Sequence, residues 1–156
     1  MAVHEAGVLA RVVGLFSGRG YNIESLTVAE VDPMARTSRI TIVTSGTPQV
    51  IEQIETQLRR LVPTHKVTNW TSAKAGIERE MALIKVAGTG EKRVEALRMA
   101  DAFRARPVDT TQSSFVFEIT GSPAKIDSFV DLMRPLGLVD VSRTGVAAIS
   151  RGPEAM

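Results

Sequence analysis

Hydrophobic and polar positions along the chain repeat after 75 residues. Apolar residues alternate with polar neighbours at Ile40 and Ile42, and again at Phe115 and Phe117, which predicts two strands that each have one covered face. An apolar stripe at helical spacing follows in each copy, formed first by Ile51, Ile54, Leu58 and Leu61 and then by Ile126, Phe129, Met133 and Leu136. Strand, turn and helix therefore occur twice in the same order.

Both of these helices are predicted to begin at a hydroxyl residue followed by proline. The pairs are Thr47-Pro48 and Ser122-Pro123, which occupy equivalent positions in the repeat. A hydroxyl at the N-cap accepts a hydrogen bond from the first turn, and proline at the next position gives up an N–H that would have no partner in the helix. The start of each helix is therefore defined by the sequence alone.

The rest of the pattern completes a βαββαβ order in each half, which is the ferredoxin-like arrangement of an α+β protein. In the second half we expect strands at 81–87, 106–111, 114–120 and 138–144 and helices at 91–104 and 123–136, closed by Gly137. On the first of these helices we expect Val94, Leu97 and Phe103 to face inward. Residues 145–150 could extend the sheet.

The first half gives the same order, except that its opening strand is largely missing. We expect helices at 7–17 and 48–61 and strands at 21–31, 37–44 and 66–71. Only Met1 to His4 are available for the opening strand, about half of a typical strand, and we interpret this as a late start of the chain. The expected domains are residues 1–74 and 77–156, joined through residues 72–76.

Composition removes several classes of chemistry. The 156 residues include no cysteine and two histidines, which leaves no thiolate nucleophile, no disulfide and little for a metal site or a Ser-His-Asp triad. The net charge of +2 is too small to indicate a nucleic-acid partner, and no apolar run approaches the roughly 18 residues of a membrane helix. We therefore expect a cytoplasmic protein that binds neither nucleic acid nor membrane.

Two glycine-containing turns are candidates for binding rather than catalysis. Gly7 precedes the first helix, where free backbone N–H groups favour an anion such as a carboxylate, although the glycine could simply permit the turn. Gly20 ends that helix, and Asn22 follows with an amide that can both donate and accept hydrogen bonds. An amide suits an amino acid as ligand, but Asn22 could equally stabilise its own loop.

Other features favour ordinary structure. Gly88-Thr89-Gly90 does not have the spacing of a phosphate-binding loop, which favours a plain turn. The arginines between Arg93 and Arg106 are interleaved with acidic residues, which favours a solvated helix face. The apolar stretch Val146–Ile149 could be an edge strand or a surface for a partner protein.

Several segments resemble the regulatory, or small, subunit of acetolactate synthase, also called acetohydroxyacid synthase. The resemblance covers nearly the whole chain, and its most specific part is the run Gly20-Tyr21-Asn22-Ile23-Glu24-Ser25-Leu26. Further matches are Glu5–Val12, Leu15–Ser17, Ser38–Val43, Glu52–Ile54, Gln57-Leu58, Arg79-Glu80, Ala82–Val86, Gly145 and Ser150–Gly152.

The resemblance implies an N-terminal ACT domain, a C-terminal ACT-like domain and a homodimer whose N-terminal sheets join side by side. It also implies a separate catalytic subunit, which carries thiamine diphosphate, magnesium and FAD, so that this chain has no active site and no cofactor of its own. A branched-chain amino acid, usually valine, would bind between two N-terminal domains as feedback inhibitor. Alternatives are a ligand-insensitive activator and a standalone ACT-type amino-acid sensor.

By the same resemblance, five residues would form the effector site. Gly7 and Val8 would offer backbone N–H groups to the ligand carboxylate, and Asn22, with Ile23 beside it, would come from the neighbouring protomer. The family commonly has Asn or Asp three residues before that glycine, where this chain has His4, so His4 would be a further contact.

Overall fold

A computed structural model describes residues 1–3, 7–62, 64–71 and 76–153 of the chain. The chain divides into two units, Met1–Ile77 with Ala148–Met156, and Glu78–Ala147. The mixed α+β architecture with two antiparallel sheets confirms the predicted fold class.

The first unit contains an antiparallel three-stranded sheet in the order β1-β3-β2. Its elements are β1 (Ala2–Val3), α1 (Val8–Gly18), β2 (Ser25–Asp32), β3 (Thr37–Val43) and α2 (Pro48–Arg60). Strand β2 pairs with β3 from Ser25 opposite Val43 to Asp32 opposite Thr37. Because β3 is central, β2 lies at one edge of the sheet as the structure describes it.

The core of the first unit forms where α1 and α2 cover the sheet. Val12 and Phe16 from α1 are buried, and so is Ile54 from α2, as the stripe at residues 51–61 predicted. Partly buried side chains surround them, including Leu15, Ile23, Ile40 and Ile42 and the predicted stripe residues Ile51, Leu58 and Leu61.

The second half has a longer set of elements. They are β4 (Gly76–Ala87), α3 (Gly90–Ala102), β5 (Arg106–Thr110), β6 (Ser114–Gly121), α4 (Pro123–Gly137), β7 (Leu138–Arg143) and β8 (Ala147–Ser150). The sheet order is β5-β6-β4-β7, and β8 also pairs with β4. Its core includes the predicted residues Phe115, Phe117, Ile119, Ile126, Phe129 and Met133, all buried.

Both predicted helix caps are confirmed. The Thr47 hydroxyl accepts a hydrogen bond from the Val50 N–H at 3.4 Å, and the Ser122 hydroxyl accepts one from the Lys125 N–H at 3.3 Å. Proline occupies the first turn of each helix. The two copies of the repeat are thus capped in the same way.

An ion-pair network fixes one side of the second unit. Glu80 on β4 is 5% exposed, and its carboxylate accepts two hydrogen bonds from Arg143 on β7, from Nε at 2.8 Å and from Nη2 at 2.6 Å. The remaining guanidinium nitrogen of Arg143 donates to Asp127 on α4 at 2.7 Å. These contacts, above all the hydrogen bonds to Glu80, raise the pKa of Arg143, so the guanidinium stays charged and bridges three elements.

The predicted inward face of α3 is wrong in part. Val94 and Leu97 are 51% and 39% exposed, whereas Ala96 and Ala100 are buried. Phe103, the third predicted residue, does pack against the core. The pattern favoured the larger side chains, but small alanine side chains let α3 lie closer to α4, which it contacts.

The predicted strand at 66–71 is also absent from the described structure. The segment instead attaches to β1 through Met1, whose carbonyl accepts hydrogen bonds from the His65 and Lys66 N–H groups at 3.0 and 3.3 Å. By analogy with β7, which pairs with β4 in the second half, residues 66–71 would pair with β1. Strand β1, however, has only two residues. The strand does not form because a paired edge is lacking. The expected connection at 72–75 lies outside the described residues, and Gly76 already belongs to β4.

We predict that Gly137→Ala destabilises the protein severely. Gly137 ends α4 with φ at +106°, and an added Cβ would lie 1.9 Å from the carbonyl oxygen of Ala87. Gly90→Ala is the matched control, because Gly90 also has a positive φ of +60° but nothing lies within 4 Å of its Cβ position. In urea unfolding, Gly90→Ala should cost about 1 kcal/mol and Gly137→Ala well above about 3 kcal/mol. Equal losses in the two variants would contradict the close contact at Gly137.

Candidate functional site

The first candidate half-site is the N-terminus of α1. Gly7 occupies the N-cap position in the left-handed conformation, with φ at +89° and ψ at −4°. Gly7 itself provides no side-chain cap, and the first turn, as the structure describes it, carries no acidic residue. Free N–H groups in a first turn and the positive end of the helix dipole favour an anion at such a position.

The backbone at Gly7 is open to a ligand. A Cβ built on Gly7 would meet no described atom within 4 Å. The next residue, Val8, is buried at 7% exposure, so its side chain anchors the first turn. This arrangement suits a carboxylate approaching along the helix axis.

The second candidate half-site is the segment between α1 and β2. Gly20 adopts the predicted left-handed conformation, with φ at +70°, and reverses the chain after α1. Strand β2 begins at Ser25 rather than at the predicted residue 21, so Asn22 and Ile23 lie in the connection ahead of it. Asn22 is exposed, whereas Ile23 packs against the core of the first unit.

Hydrogen bonds hold this segment on both sides of Asn22. The Thr44 hydroxyl donates to the Asn22 carbonyl at 2.5 Å, and the Glu24 N–H donates to the Val43 carbonyl at 2.8 Å. The Tyr21 hydroxyl donates to Gln53 Oε1 at 3.3 Å, and the Tyr21 ring meets Phe16 edge-on with the ring centroids 6.0 Å apart. The Asn22 side chain makes no hydrogen bond within the described part of the chain.

The two half-sites lie at opposite ends of α1. Gly7 and Val8 are at its start, whereas Asn22 and Ile23 follow its end. The helix has 11 residues, which corresponds to about 16 Å of length. One chain therefore brings Gly7 together with Val8, and Asn22 together with Ile23, but it does not bring the two pairs together around one small ligand. The predicted contact His4 lies outside the described residues.

A cavity that the sequence did not predict lies elsewhere in the first unit. Its volume is about 160 Å³, and its lining includes Val12, Ile42 and Leu58 together with Arg39 and Lys66. It lies between β3 and residues 64–70, the position that β4 fills between β6 and β7 in the second half. The cavity is therefore a consequence of the short β1, and none of the four described effector residues, Gly7, Val8, Asn22 and Ile23, lines it.

The described titratable groups do not form a catalytic arrangement at either half-site. Burial, followed by the positive charges of Arg39 and Lys66, lowers the pKa of the Met1 amine, and a hydrogen bond from Arg59 lowers the pKa of Glu55. Among the described residues, no cluster of three or more His, Asp or Glu side chains could hold a metal ion. None of the described helices is long and apolar enough to cross a bilayer.

The other predicted features take ordinary structural roles. Gly90 opens α3 as part of a strand-to-helix turn, as expected. Arg98 and Arg106 pair with Glu95 and Glu118, at 3.8 and 2.8 Å. Arg93 differs from the expected solvated face, because it is half-buried and its guanidinium carbon lies 3.9 Å from the centroid of the Phe115 ring.

The sequence matches two known protein families, one in each half of the chain. Residues 1–66 match the family of AHAS small subunit-like ACT domains, and residues 79–152 match the family described as the small subunit of acetolactate synthase. The fold is therefore a tandem of ACT and ACT-like domains.

Individual relatives support the same family over nearly the full length. The chain is 46% identical over 151 residues to a probable acetolactate synthase small subunit of Archaeoglobus fulgidus, covering 96% of this chain and 92% of that protein. It is 43% identical over 154 residues to the acetolactate synthase isozyme 3 small subunit of Escherichia coli, covering 98% and 93%. The crystal structure of the acetolactate synthase small subunit from Thermotoga maritima superposes with a TM-score of 0.83 at 36% identity, covering 99% of this chain and 96% of that one. The chain belongs to the family of acetolactate synthase small subunits.

We predict opposite effects of alanine at two glycines of the first helix. Gly7→Ala should lower the free energy of unfolding by about 1 kcal/mol, because φ at +89° is unfavourable for alanine. Gly14→Ala should raise it by about 0.5 to 1 kcal/mol, because Gly14 lies inside α1 with no atom within 4 Å of the added Cβ. Urea unfolding followed by the fluorescence of Trp70, the single tryptophan, measures both. A Gly7→Ala variant as stable as the parent would contradict the left-handed N-cap.

Proposed function

We propose that this chain is the regulatory subunit of acetolactate synthase in the biosynthesis of valine, leucine and isoleucine. It binds a separate catalytic subunit, raises the activity of that subunit and makes it sensitive to feedback inhibition by a branched-chain amino acid, valine. Membership in the small-subunit family supports the partner. The catalytic subunit supplies the thiamine diphosphate, magnesium and FAD chemistry in the cytoplasm, and this chain contributes regulation.

The observation that carries the effector proposal is the separation of the two half-sites along α1. A single valine cannot reach both ends of a helix about 16 Å long. A second copy related by two-fold symmetry can place its Asn22 and Ile23 opposite the Gly7 and Val8 of the first copy. The N–H groups at Gly7 and Val8 then bind the carboxylate, Asn22 binds the polar groups from the other side, and His4 is a further contact.

The free edge of β2 supports a homodimer of this kind. Among the described strands, β2 pairs only with β3, which leaves its other edge without a partner strand. Val28 and Val31 on β2 are 42% and 43% exposed. An exposed edge of eight residues with apolar side chains favours pairing with a second strand, and the same edge of a second copy provides one.

We assign amino-acid binding and dimerisation to an N-terminal ACT domain at 1–74 and an ACT-like role to residues 77–156. Regulation then follows from linkage: a ligand shared by two protomers binds one arrangement of the dimer better and shifts the population toward it. The catalytic subunit held by that arrangement is less active.

A second candidate is a ligand-insensitive activator of the same catalytic subunit. One observation favours it: β1, the strand ahead of Gly7 in the sequence, has two residues. A strand this short positions the backbone at Gly7 less firmly, which reduces the affinity for an effector. The two candidates differ in whether valine binds at all.

We predict that the chain binds L-valine with sub-millimolar affinity and that Asn22→Ala weakens binding about tenfold or more. The reason is the loss of a hydrogen bond to a charged group of the ligand. Isothermal titration of the chain with L-valine measures the dissociation constants.

The matched control is Asn69→Ala, since Asn69 is the other asparagine of the chain and its side chain contacts Glu55 and Thr71. It should bind valine as the parent does. No heat above the blank at millimolar valine would reject the effector proposal and favour the ligand-insensitive activator.

We predict that Val31→Lys converts the dimer into monomers. Lysine on an exposed strand edge opposes pairing because each copy would bring a charge to the shared edge. Sedimentation velocity measures the outcome, and Val94→Lys serves as the control because Val94 is exposed on the surface of α3 in the other unit. A Val31→Lys protein that remains dimeric would place the dimer interface elsewhere.

A further inference from the structure

We propose that Thr44 is a positioning residue for the effector half-site: its hydroxyl orients Asn22. This inference rests on the proposed function and adds to it a residue outside the five effector contacts. The Thr44 hydroxyl donates to the carbonyl oxygen of Asn22 at 2.5 Å, across 22 residues of sequence.

The hydroxyl occurs at a position where the repeat places an apolar residue. Thr44 aligns with Ile119 in the second copy, and Ile119 is buried in the core at 1% exposure. In the first copy the Thr44 side chain is half-buried instead, and its hydroxyl donates a hydrogen bond to the connection that contains Asn22. The hydroxyl that stands where isoleucine has an ethyl group therefore has a local partner in the N-terminal unit.

The hydrogen bond from Thr44 acts on a peptide plane that is already held at its other end. The Asn22 carbonyl and the Ile23 N–H share one peptide plane, and Ile23 is packed against the core. The Glu24 N–H is fixed to Val43, the residue before Thr44. With the carbonyl held by Thr44, the orientation of this plane is set from both sides, and Asn22 itself is exposed to solvent.

Without the hydroxyl, the plane between Asn22 and Ile23 can rotate. The Asn22 carbonyl remains satisfied by water, so the fold survives. The Asn22 amide then samples several directions, and ligand binding must restrict it to one. Holding Asn22 in one orientation before the ligand binds therefore raises the affinity for the ligand.

Two substitutions separate positioning from stability. Thr44→Val keeps the shape and strand preference of threonine but removes the hydroxyl, so the melting temperature should change little while the dissociation constant for L-valine rises about fivefold. Thr44→Ser keeps the hydroxyl but loses a methyl group, so the melting temperature should fall while the dissociation constant stays within about twofold of the parent. Calorimetric titration and thermal unfolding of the full chain measure both quantities.

A spectroscopic readout tests the orientation without any ligand. The backbone ¹⁵N resonance of Ile23 reports on the hydrogen bond to the Asn22 carbonyl, since the two groups belong to one amide. It should shift in Thr44→Val and stay in place in Thr44→Ser.

The possible outcomes are distinct. Dissociation constants that follow the melting temperatures, with Thr44→Ser weaker than Thr44→Val, would overturn the inference by showing a purely structural role. Parent-like valine binding by Thr44→Val would overturn it as well, while leaving the proposed function intact. Absence of valine binding by the parent chain would overturn the proposed function and this inference together.

Discussion

The first turn of an α-helix leaves backbone N–H groups that need partners, and this requirement organises the N-terminal unit. Helices α2 and α4 meet it with the hydroxyls of Thr47 and Ser122. Helix α1 begins instead at a left-handed glycine without a side-chain cap. The 11 residues of this helix separate its first turn from Asn22. In the function that we propose, one small ligand contacts both half-sites through two copies of the chain, which couples effector recognition to dimerisation.

The sheets of the two halves differ in the length and pairing of their strands. In the second half, β4 has 12 residues, pairs with β6 and β7, and carries the buried Glu80 that binds Arg143. In the first unit, β1 has two residues, a cavity of about 160 Å³ borders β3, and β2 pairs with β3 alone among the described strands. A partner that binds the folded state of a unit raises the stability of that unit. The gain in stability matters most for a unit with a small core and unpaired strand edges. This physical difference agrees with a division in which the N-terminal domain binds ligand and partner copy.

Much of the fold could be predicted from residue pattern because its signals are local. The caps at Thr47 and Ser122 and the stripes around Ile54 and Phe129 depend on a few neighbouring residues, and all are confirmed. The face of α3 was missed because burial of Ala96 depends on how closely α4 approaches. The prediction of a strand at 66–71 was wrong because a strand requires an edge to pair with, and β1 has two residues. The hydroxyl of Thr44 could not be identified from spacing, since its partner Asn22 is distant in sequence. The roles of Gly7, Val8, Asn22, Ile23 and His4 stay predictions, because they depend on a second copy of the chain.

Reconstitution with the catalytic subunit tests the central claim, that this chain passes an amino-acid signal to a separate enzyme. The measurement is the rate of acetolactate formation from pyruvate by the catalytic subunit alone, with this chain, and with this chain plus L-valine. We expect the rate of acetolactate formation to rise when this chain is added and to fall toward the rate of the catalytic subunit alone when valine is also present. We expect no turnover by this chain alone. A rate that the chain leaves unchanged in both the presence and the absence of valine would contradict it.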